Sequence, residues 1–432
     1  MKINIVGLGY VGQTLAVILA DVGFQVYGSE KDEKILDAIK KCQSHIKEPG
    51  INLLLKRHLG SNLFVGKPEE MYAHDADVFI IAVTSPVDKK TKTPNLEFVK
   101  SAVNEIRNHL RPGQLVLLRS TVPVGTTRDV VKPILEKSGL KAGEDFYLAF
   151  TPERTAEGVA LKELRILPQI IGGINDNSVD EAAKIFRRTT PTILCVSSLE
   201  AAELIKLLDN SYRDLRFAYA NEIANYCERV GLNTFEVVNA ANQGYPRNNI
   251  PIPSPGVGGA CLTKDPYILV NCAKKFGEEL SLVSKAREIN ENMTKRMVDE
   301  LKKHGQLKGK KIFIAGFAFK GKPETNDMRE SPTLDLVNHL SAEGVSLSGF
   351  DPCVEEEKIR SLDIEYVKNI EDGLKDADVA IFMTNHDFFS NLDVKEIFSG
   401  MKKSGIVYDG WGLFKKQEIE GMGLKYKGVG IG

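Results

Sequence analysis

A chain of 432 residues is longer than one ordinary hydrophobic core supports, and at about 100–200 residues per domain it divides into two or three domains. Hydrophobic residues make 42% and charged residues 27%, the balance of a soluble globular protein rather than a disordered or membrane-embedded one. Lys+Arg number 57 against 58 Asp+Glu, so the net charge of −1 excludes a global basic field that would recruit nucleic acid or anionic lipid.

Met1 runs directly into KINIVGLGYVG, without the charged start, long apolar run and cleavage site of a secretory leader, so none is expected. No stretch approaches the length of a membrane span. The cysteines Cys42, Cys195, Cys227, Cys261, Cys272 and Cys353 are scattered without paired spacing, which points to thiols in a reducing compartment and hence to the cytoplasm.

Residues 2–6, KINIV, read as a short strand, followed by Gly7-Leu8-Gly9-Tyr10-Val11-Gly12 and the apolar helical stretch QTLAVILADVG. A second strand, FQVYGSE, closes on Glu30, near the offset of about 20 residues at which a ribose-binding acid stands. Strand, glycine turn, helix and strand follow in the order of a dinucleotide-binding unit. Gly7 permits the tight turn, Gly9 lets the backbone approach a pyrophosphate, and Gly12 lets the helix pack on the strand; the helix N-terminus offers its N–H groups to the phosphates. Glu30 would bind the ribose hydroxyls and repel a 2′-phosphate, favouring NAD over NADP, a preference that Lys31 weakens slightly.

The strands DVFIIAV (77–83) and QLVLLRS (114–120) end in Thr84-Ser85-Pro86 and Thr121-Val122-Pro123. Both tips belong at the carboxyl edge of a parallel sheet, beside a bound cofactor, or are ordinary strand-ending turns. From Leu199 to Gly231 the chain has no proline or internal glycine and carries apolar residues at helical spacing, so one long connecting helix is expected. Lys206 and Asn210 share a face of it, which by pattern alone reads as a solvated face.

Between helical ends, residues 232–298 contain the long loop QGYPRNNIPIPSPGVGGACLTKDP, more often functional than filler at that length. Its glycines and prolines make a tight, irregular backbone around Cys261, which reads either as a packing residue or as a nucleophile. From about 306, KKIFIAGFAFK begins a second alternation of strand and helix, without the GxGxxG of the first. The expected fold class is α/β: two Rossmann-like parallel-sheet domains, at 1–198 and 306–432, joined by a long helix and a helical central domain at 199–305. Lys320 could hold a phosphate as a point charge, or the second domain could simply stabilise a dimer.

The motifs GLGYVG (7–12), STVPVGTT (120–127), TPERTAEG (151–158), AELIKLLDN (202–210), GVGGACLTKDP (256–266) and GFAFKGKPETNDMRES (316–331) together resemble the UDP-glucose/GDP-mannose dehydrogenase family, the nucleotide-sugar 6-dehydrogenases, over nearly the whole chain. The resemblance implies an NAD-binding domain, a central dimerisation domain carrying the catalytic cysteine and a UDP-sugar-binding domain. It also implies a homodimer or dimer-based homo-oligomer that oxidises the C6 alcohol of the sugar to a carboxylate with two NAD⁺. A thiol suits that chemistry, because it captures the intermediate aldehyde as a thiohemiacetal that loses a second hydride to become a thioester. A thiol of ordinary pKa about 8.5 needs a nearby cation for this, and Lys206 or Lys264 could supply one.

By the match, Cys261 is the nucleophile, Lys206 and Asn210 stabilise oxyanionic character and contact substrate, Asp265 and Thr121 position or activate water, and Glu153 is the general base for thioester hydrolysis. Gly7, Gly9, Tyr10, Val11, Gly12, Glu30, Thr84, Thr121 and Arg329 fall to the cofactor. Glu157, Arg247, Gly258 and Lys320 fall to the substrate. YPRNNIPIPSPGVGG resembles the UDP-N-acetylmannosamine and UDP-N-acetylglucosamine branch, while Lys264-Asp265 resembles the UDP-glucose branch. Ala260 and Trp411 depart from the residues common at their positions. The expectation is a UDP-N-acetyl-D-mannosamine dehydrogenase, with UDP-glucose as alternative substrate and a non-catalytic nucleotide-sugar-binding dimer behind it. A zinc alcohol dehydrogenase is disfavoured, since no Cys/His cluster stands at ligand spacing, and no metal is expected.

Overall fold

The computed structural model describes residues 1–72 and 74–432. Among these described residues one compact unit comprises 1–209 and 267–279, and a second comprises 210–266 and 280–432, so the stretch 199–305 is shared between them.

The first unit holds an eight-stranded sheet built from β1 (Lys2–Val6), β2 (Gln25–Ser29), β3 (Leu63–Gly66), β4 (Val78–Ile81), β5 (Leu115–Leu118), β6 (Tyr147–Phe150), β7 (Gln169–Gly173) and β8 (Ile193–Val196), in the order β3-β2-β1-β4-β5-β6-β7-β8. The short apolar runs VFII and LVLL are buried on both faces, as central parallel strands require. Val78, Ile80, Leu115 and Leu117 meet Leu15, Ile18 and Leu19 of the helix Tyr10–Asp21 on one face. Phe79, Ile81, Val116 and Leu118 meet Val99, Val103 and Ile106 on the other, so the period of two alone sorts each strand into both cores. The strand order reverses between β1 and β4, which puts the glycine turn at the switch point of the sheet.

The parallel arrangement stops at β6, because β7 pairs with it antiparallel through Ala149–Gly173 and Phe150–Gly172. Both glycines are required: a Cβ on Gly172 would lie 2.2 Å from the Ser198 carbonyl oxygen, and one on Gly173 would lie 2.7 Å from that of Asn175.

The second unit carries β9 (Lys311–Ala315), β10 (Ser346–Phe350), β11 (Glu365–Tyr366), β12 (Val379–Phe382), β13 (Ile406–Asp409) and β14 (Lys425–Gly428) in the order β11-β10-β9-β12-β13-β14, parallel throughout. Its cores again alternate, Ile312, Ile314 and Ile381 on one face and Phe313, Phe382 and Val407 on the other.

The single helix Leu199–Val230 matches the expected span to within a residue. In the second unit a buried polar chain fixes the cysteine-bearing loop to it: Ser254 N donates to Asn221 Oδ1 at 2.9 Å, Asn221 Nδ2 to Asn290 Oδ1 at 3.0 Å, and Asn290 Nδ2 to Asp214 Oδ1 at 2.9 Å. Arg287 closes the chain on Asp214 at 2.7 Å. Burial raises the Asp214 carboxyl above its ordinary value despite the guanidinium, and its bonds converge on Oδ1, leaving Oδ2 without a hydrogen bond.

Candidate functional site

The glycine turn has the geometry its spacing foretold. Gly7 adopts φ +91°, open to glycine at little cost, and a Cβ on Gly12 would stand 1.8 Å from the Gly7 carbonyl oxygen. A Cβ on Gly9 would meet nothing within 4 Å, so the backbone there faces open space at the start of the helix Tyr10–Asp21, whose first turn carries no acidic residue. That cradle fits a pyrophosphate.

Glu30 lies beside it. Its Oε2 accepts from Leu8 N at 2.8 Å and its Oε1 from Lys31 N and Asp32 N at 2.7 and 3.1 Å, which ties the acid to the turn. A small cleft, open to solvent, adjoins them and is lined by Gly7, Glu30, Val83, Phe98 and Ala102 among others. Lys31 points its ammonium to Glu105 at 2.6 Å, which offsets the charge that would have welcomed a 2′-phosphate. The residues fit a bound NAD, with Val11 half-buried in the same turn and Thr84 exposed at the end of β4. Ser120 Oγ donates to the Val83 carbonyl at 2.6 Å and Ser85 Oγ to that of the half-buried Thr121, so the tips of β4 and β5 are held together.

Tyr10 joins the glycine turn to another loop. Its hydroxyl donates to Glu48 Oε2 at 2.5 Å, and the same carboxylate accepts from Gly158 N at 2.8 Å and Leu161 N at 3.3 Å. Burial first, then Glu48, pushes the Tyr10 hydroxyl far up, so it stays a donor. Glu48 thereby anchors the TPERTAEG loop, with the half-buried Glu157 on it, to the glycine turn.

Glu153 is buried against Arg119, which donates to its Oε2 through Nη2 at 2.6 Å and Nε at 3.2 Å. Its Oε1 accepts from Arg154 N and Thr155 N at 2.7 and 2.8 Å. Burial would raise the carboxyl, but the guanidinium and the N–H groups outweigh it and hold Glu153 below the ordinary range.

Lys206 is buried on the long helix rather than solvated. One turn earlier Glu203 accepts from Gly125 N at 2.6 Å, Thr127 N at 2.8 Å and Thr127 Oγ at 2.6 Å, fixing the loop that follows Thr121. Burial pushes Glu203 up to about 7 despite these donors.

In the second unit, Asn210 Nδ2 donates to Asp265 Oδ2 at 2.5 Å, and Lys264 Nζ lies 3.0 Å from Asp265 Oδ1. Both Asn210 and Asp265 are buried. The Cys261 carbonyl accepts from Lys264 N at 3.1 Å and Asp265 N at 2.8 Å, so the cysteine occupies the turn that opens the helix Asp265–Lys274, with its side chain exposed. The preceding glycines are pressed against the second sheet's first turn. A Cβ on Gly258 would lie 2.5 Å from the Glu330 carbonyl oxygen, and one on Gly259 2.8 Å from the Phe319 ring, next to Lys320. Fold and loop thus bring Asn210, Gly258, Cys261, Lys264, Asp265 and the Phe319-Lys320 turn into one unit.

Arg247 is exposed, stacked over Tyr245 at 4.8 Å from its ring centre. Arg329 pairs with Asp327 through Nη2 at 2.5 Å. Trp411 donates from Nε1 to the Met383 carbonyl at 2.9 Å, so it packs onto the sheet edge. Glu48, Arg119 and Glu203 were not singled out by the sequence. Arg119, ending the apolar run QLVLL, and Glu203, three residues before Lys206, carried a signal as charges among apolar neighbours; Glu48 carried none.

Comparison with known proteins matches three consecutive segments of the chain. Residues 1–190 match the UDP-glucose/GDP-mannose dehydrogenase family, NAD binding domain; residues 200–292 match its central domain, and 313–416 its UDP binding domain. A UDP-N-acetyl-D-mannosamine dehydrogenase of Methanococcus maripaludis is 34% identical, covering 100% of this chain and 97% of the relative. The solved UDP-D-ManNAc dehydrogenase of Pyrococcus horikoshii superposes with a TM-score of 0.90 at 32% identity, covering 100% of this chain and 99% of its own. A UDP-glucose dehydrogenase of Pyrobaculum islandicum superposes with a TM-score of 0.88 at 26% identity, covering 100% and 98%. The chain therefore belongs to the UDP-glucose/GDP-mannose dehydrogenase family and is an NAD-dependent UDP-sugar dehydrogenase.

Proposed function

We propose that this enzyme oxidises the C6 hydroxyl of UDP-N-acetyl-D-mannosamine to the carboxylate, through a thiohemiacetal and a thioester on Cys261. The observation that carries the reading is the Cys261 turn itself: an exposed cysteine followed three and four residues later by Lys264 and by Asp265, which is bonded to Asn210. The substrate rests on the likeness to the UDP-N-acetyl-D-mannosamine dehydrogenases, which cover the full chain.

Bound NAD⁺ supplies the hydride acceptor, two equivalents for each sugar. Cys261 sulfur adds to the C6 aldehyde, forming a C–S bond and an alkoxide that Lys206 and Asn210, one helical turn apart, stabilise as cation and hydrogen-bond donor. Loss of the remaining C6 hydride leaves a thioester; water adds at C6, the C–S bond breaks, and acid and thiol are released. The sum is alcohol, water and two NAD⁺ to carboxylate, two NADH and three protons. Asp265 and Thr121 position or activate the water, and Glu153, an anion beside Arg119 whose other oxygen holds the Arg154-Thr155 turn, takes up its proton as general base.

Two measurements test this. Wild type should form two NADH per sugar consumed, and Cys261→Ser should lose acid formation by at least a thousandfold while binding NAD with unchanged affinity, on the order of what a missing covalent nucleophile costs. Unchanged turnover in the variant, or one NADH per sugar, contradicts the covalent route. A panel of UDP-N-acetyl-D-mannosamine, UDP-N-acetyl-D-glucosamine, UDP-glucose and GDP-mannose decides the sugar. A higher kcat/KM on UDP-glucose would transfer the assignment to that sugar.

We further propose a homodimer through the long helix. Leu204, Leu208, Tyr212, Tyr219, Tyr226 and Val230 are each at least 40% exposed and fall within about 80° of one another at 100° per residue, an apolar stripe of the kind a partner helix covers.

A further inference from the structure

The carboxyl edge of the second sheet carries a cluster that the Cys261 chemistry does not use. Cys353 stands in the turn after β10, His386 in the turn after β12, and Glu324 in the loop after β9. Cys353 Sγ lies 3.9 Å from His386 Nδ1, and His386 Nδ1 lies 3.7 Å from Glu324 Oε1. The three candidate donor atoms lie within 4.8 Å of one another. Around a tetrahedral zinc, with bonds of about 2.0–2.3 Å, such atoms stand about 3.4–3.6 Å apart, so side-chain adjustments of a few tenths of an ångström bring sulfur and nitrogen to ligand spacing.

The surroundings orient the imidazole for that task. His386 is fully buried, and its other nitrogen, Nε2, faces Asp351 Oδ2 at 3.5 Å. Asp351 cannot swing away, because its oxygens accept from Phe317 N and Ala318 N at 2.6 and 3.0 Å and from Cys353 N and Val354 N at 2.7 and 3.0 Å. Nε2 makes no hydrogen bond, while Nδ1 on the other side of the ring faces the Cys353 sulfur and the Glu324 oxygen.

We propose that Glu324, Cys353 and His386 bind a divalent transition-metal ion, with a preference for zinc. One soft, one borderline and one hard ligand form a donor set that zinc accepts and magnesium or calcium does not. Glu324 is exposed, so the fourth position faces solvent, and the metal would tie together three segments at the nucleotide-binding edge of the sheet.

Cobalt(II) reports a thiolate ligand by its charge-transfer absorption and is the probe of choice. The full-length chain, first treated with chelator, should bind one cobalt with that absorption and yield it to zinc. Cys353→Ser should abolish the band, whereas Cys261→Ser should keep it. Glu324→Gln, at an exposed position that leaves the fold intact, should weaken cobalt binding at least about tenfold. The site is refuted by an absent band in wild type, by a band that survives Cys353→Ser or vanishes in Cys261→Ser, or by unchanged affinity in Glu324→Gln.

Discussion

Glu203 shows how a single buried group can set a pH dependence. Its carboxyl is raised from about 4.5 to about 7, so between these values the folded state holds a proton that the unfolded state has lost. The stability tied to that proton is present in full below pH 4.5 and is lost as pH rises through 7. Glu203→Gln removes the titration. Its stability relative to wild type should therefore improve between pH 4.5 and 8, by on the order of 2–3 kcal/mol. Urea denaturation of both proteins at several pH values measures the difference; a flat difference refutes the assignment. Glu153 makes the opposite case. The sequence placed it by motif as a base, while the neighbour that governs it, Arg119, lies 34 residues away in the chain and meets it only in the folded sheet.

Among the elements, the glycine turn and the long helix were the most legible. Gly7 and Gly12 report backbone constraints that act within a few residues, a positive φ at the one and the Gly7 carbonyl against a Cβ at the other, whereas a Cβ on Gly9 would meet nothing. The helix was legible because nothing between Leu199 and Val230 can stop it. Which of its faces is covered was not legible, since apolar residues ring it. The exposed stripe predicts the consequence: if the proposed dimer forms through it, Leu208→Glu combined with Tyr219→Glu should convert that dimer to monomer, raising the dissociation constant at least about a hundredfold, as sedimentation velocity would show. A variant that stays dimeric at the same concentration places the interface elsewhere. The β6–β7 pair is the element-level surprise, and its cause lies in Gly172 and Gly173, whose tolerance of close backbone could not be assigned to a partner beforehand.

At the scale of the whole molecule, the two switch points imply separate ligand footprints. NAD should slow amide exchange in residues 7–12 and 30–32, and UDP in residues 256–261 and 317–330, each by at least about tenfold at saturation. Hydrogen-exchange mass spectrometry resolves the two; protection of 317–330 by NAD alone would overturn the division.

What the sequence determined by itself was whatever acts over short separations or through alternation. The two α/β halves, the dinucleotide turn, the uninterrupted helix and the motifs that mark the family all depend on neighbours in the chain. Tertiary structure alone decided which charges meet. Arg119 with Glu153, Glu203 with the Gly125–Thr127 loop, Glu48 with Tyr10 and Gly158, and Cys353 with His386 and Glu324 each join residues at least 29 positions apart. Local spacing carries no record of such pairs, because the energy that selects them, desolvation balanced by a partner, exists only once the chain has closed around them.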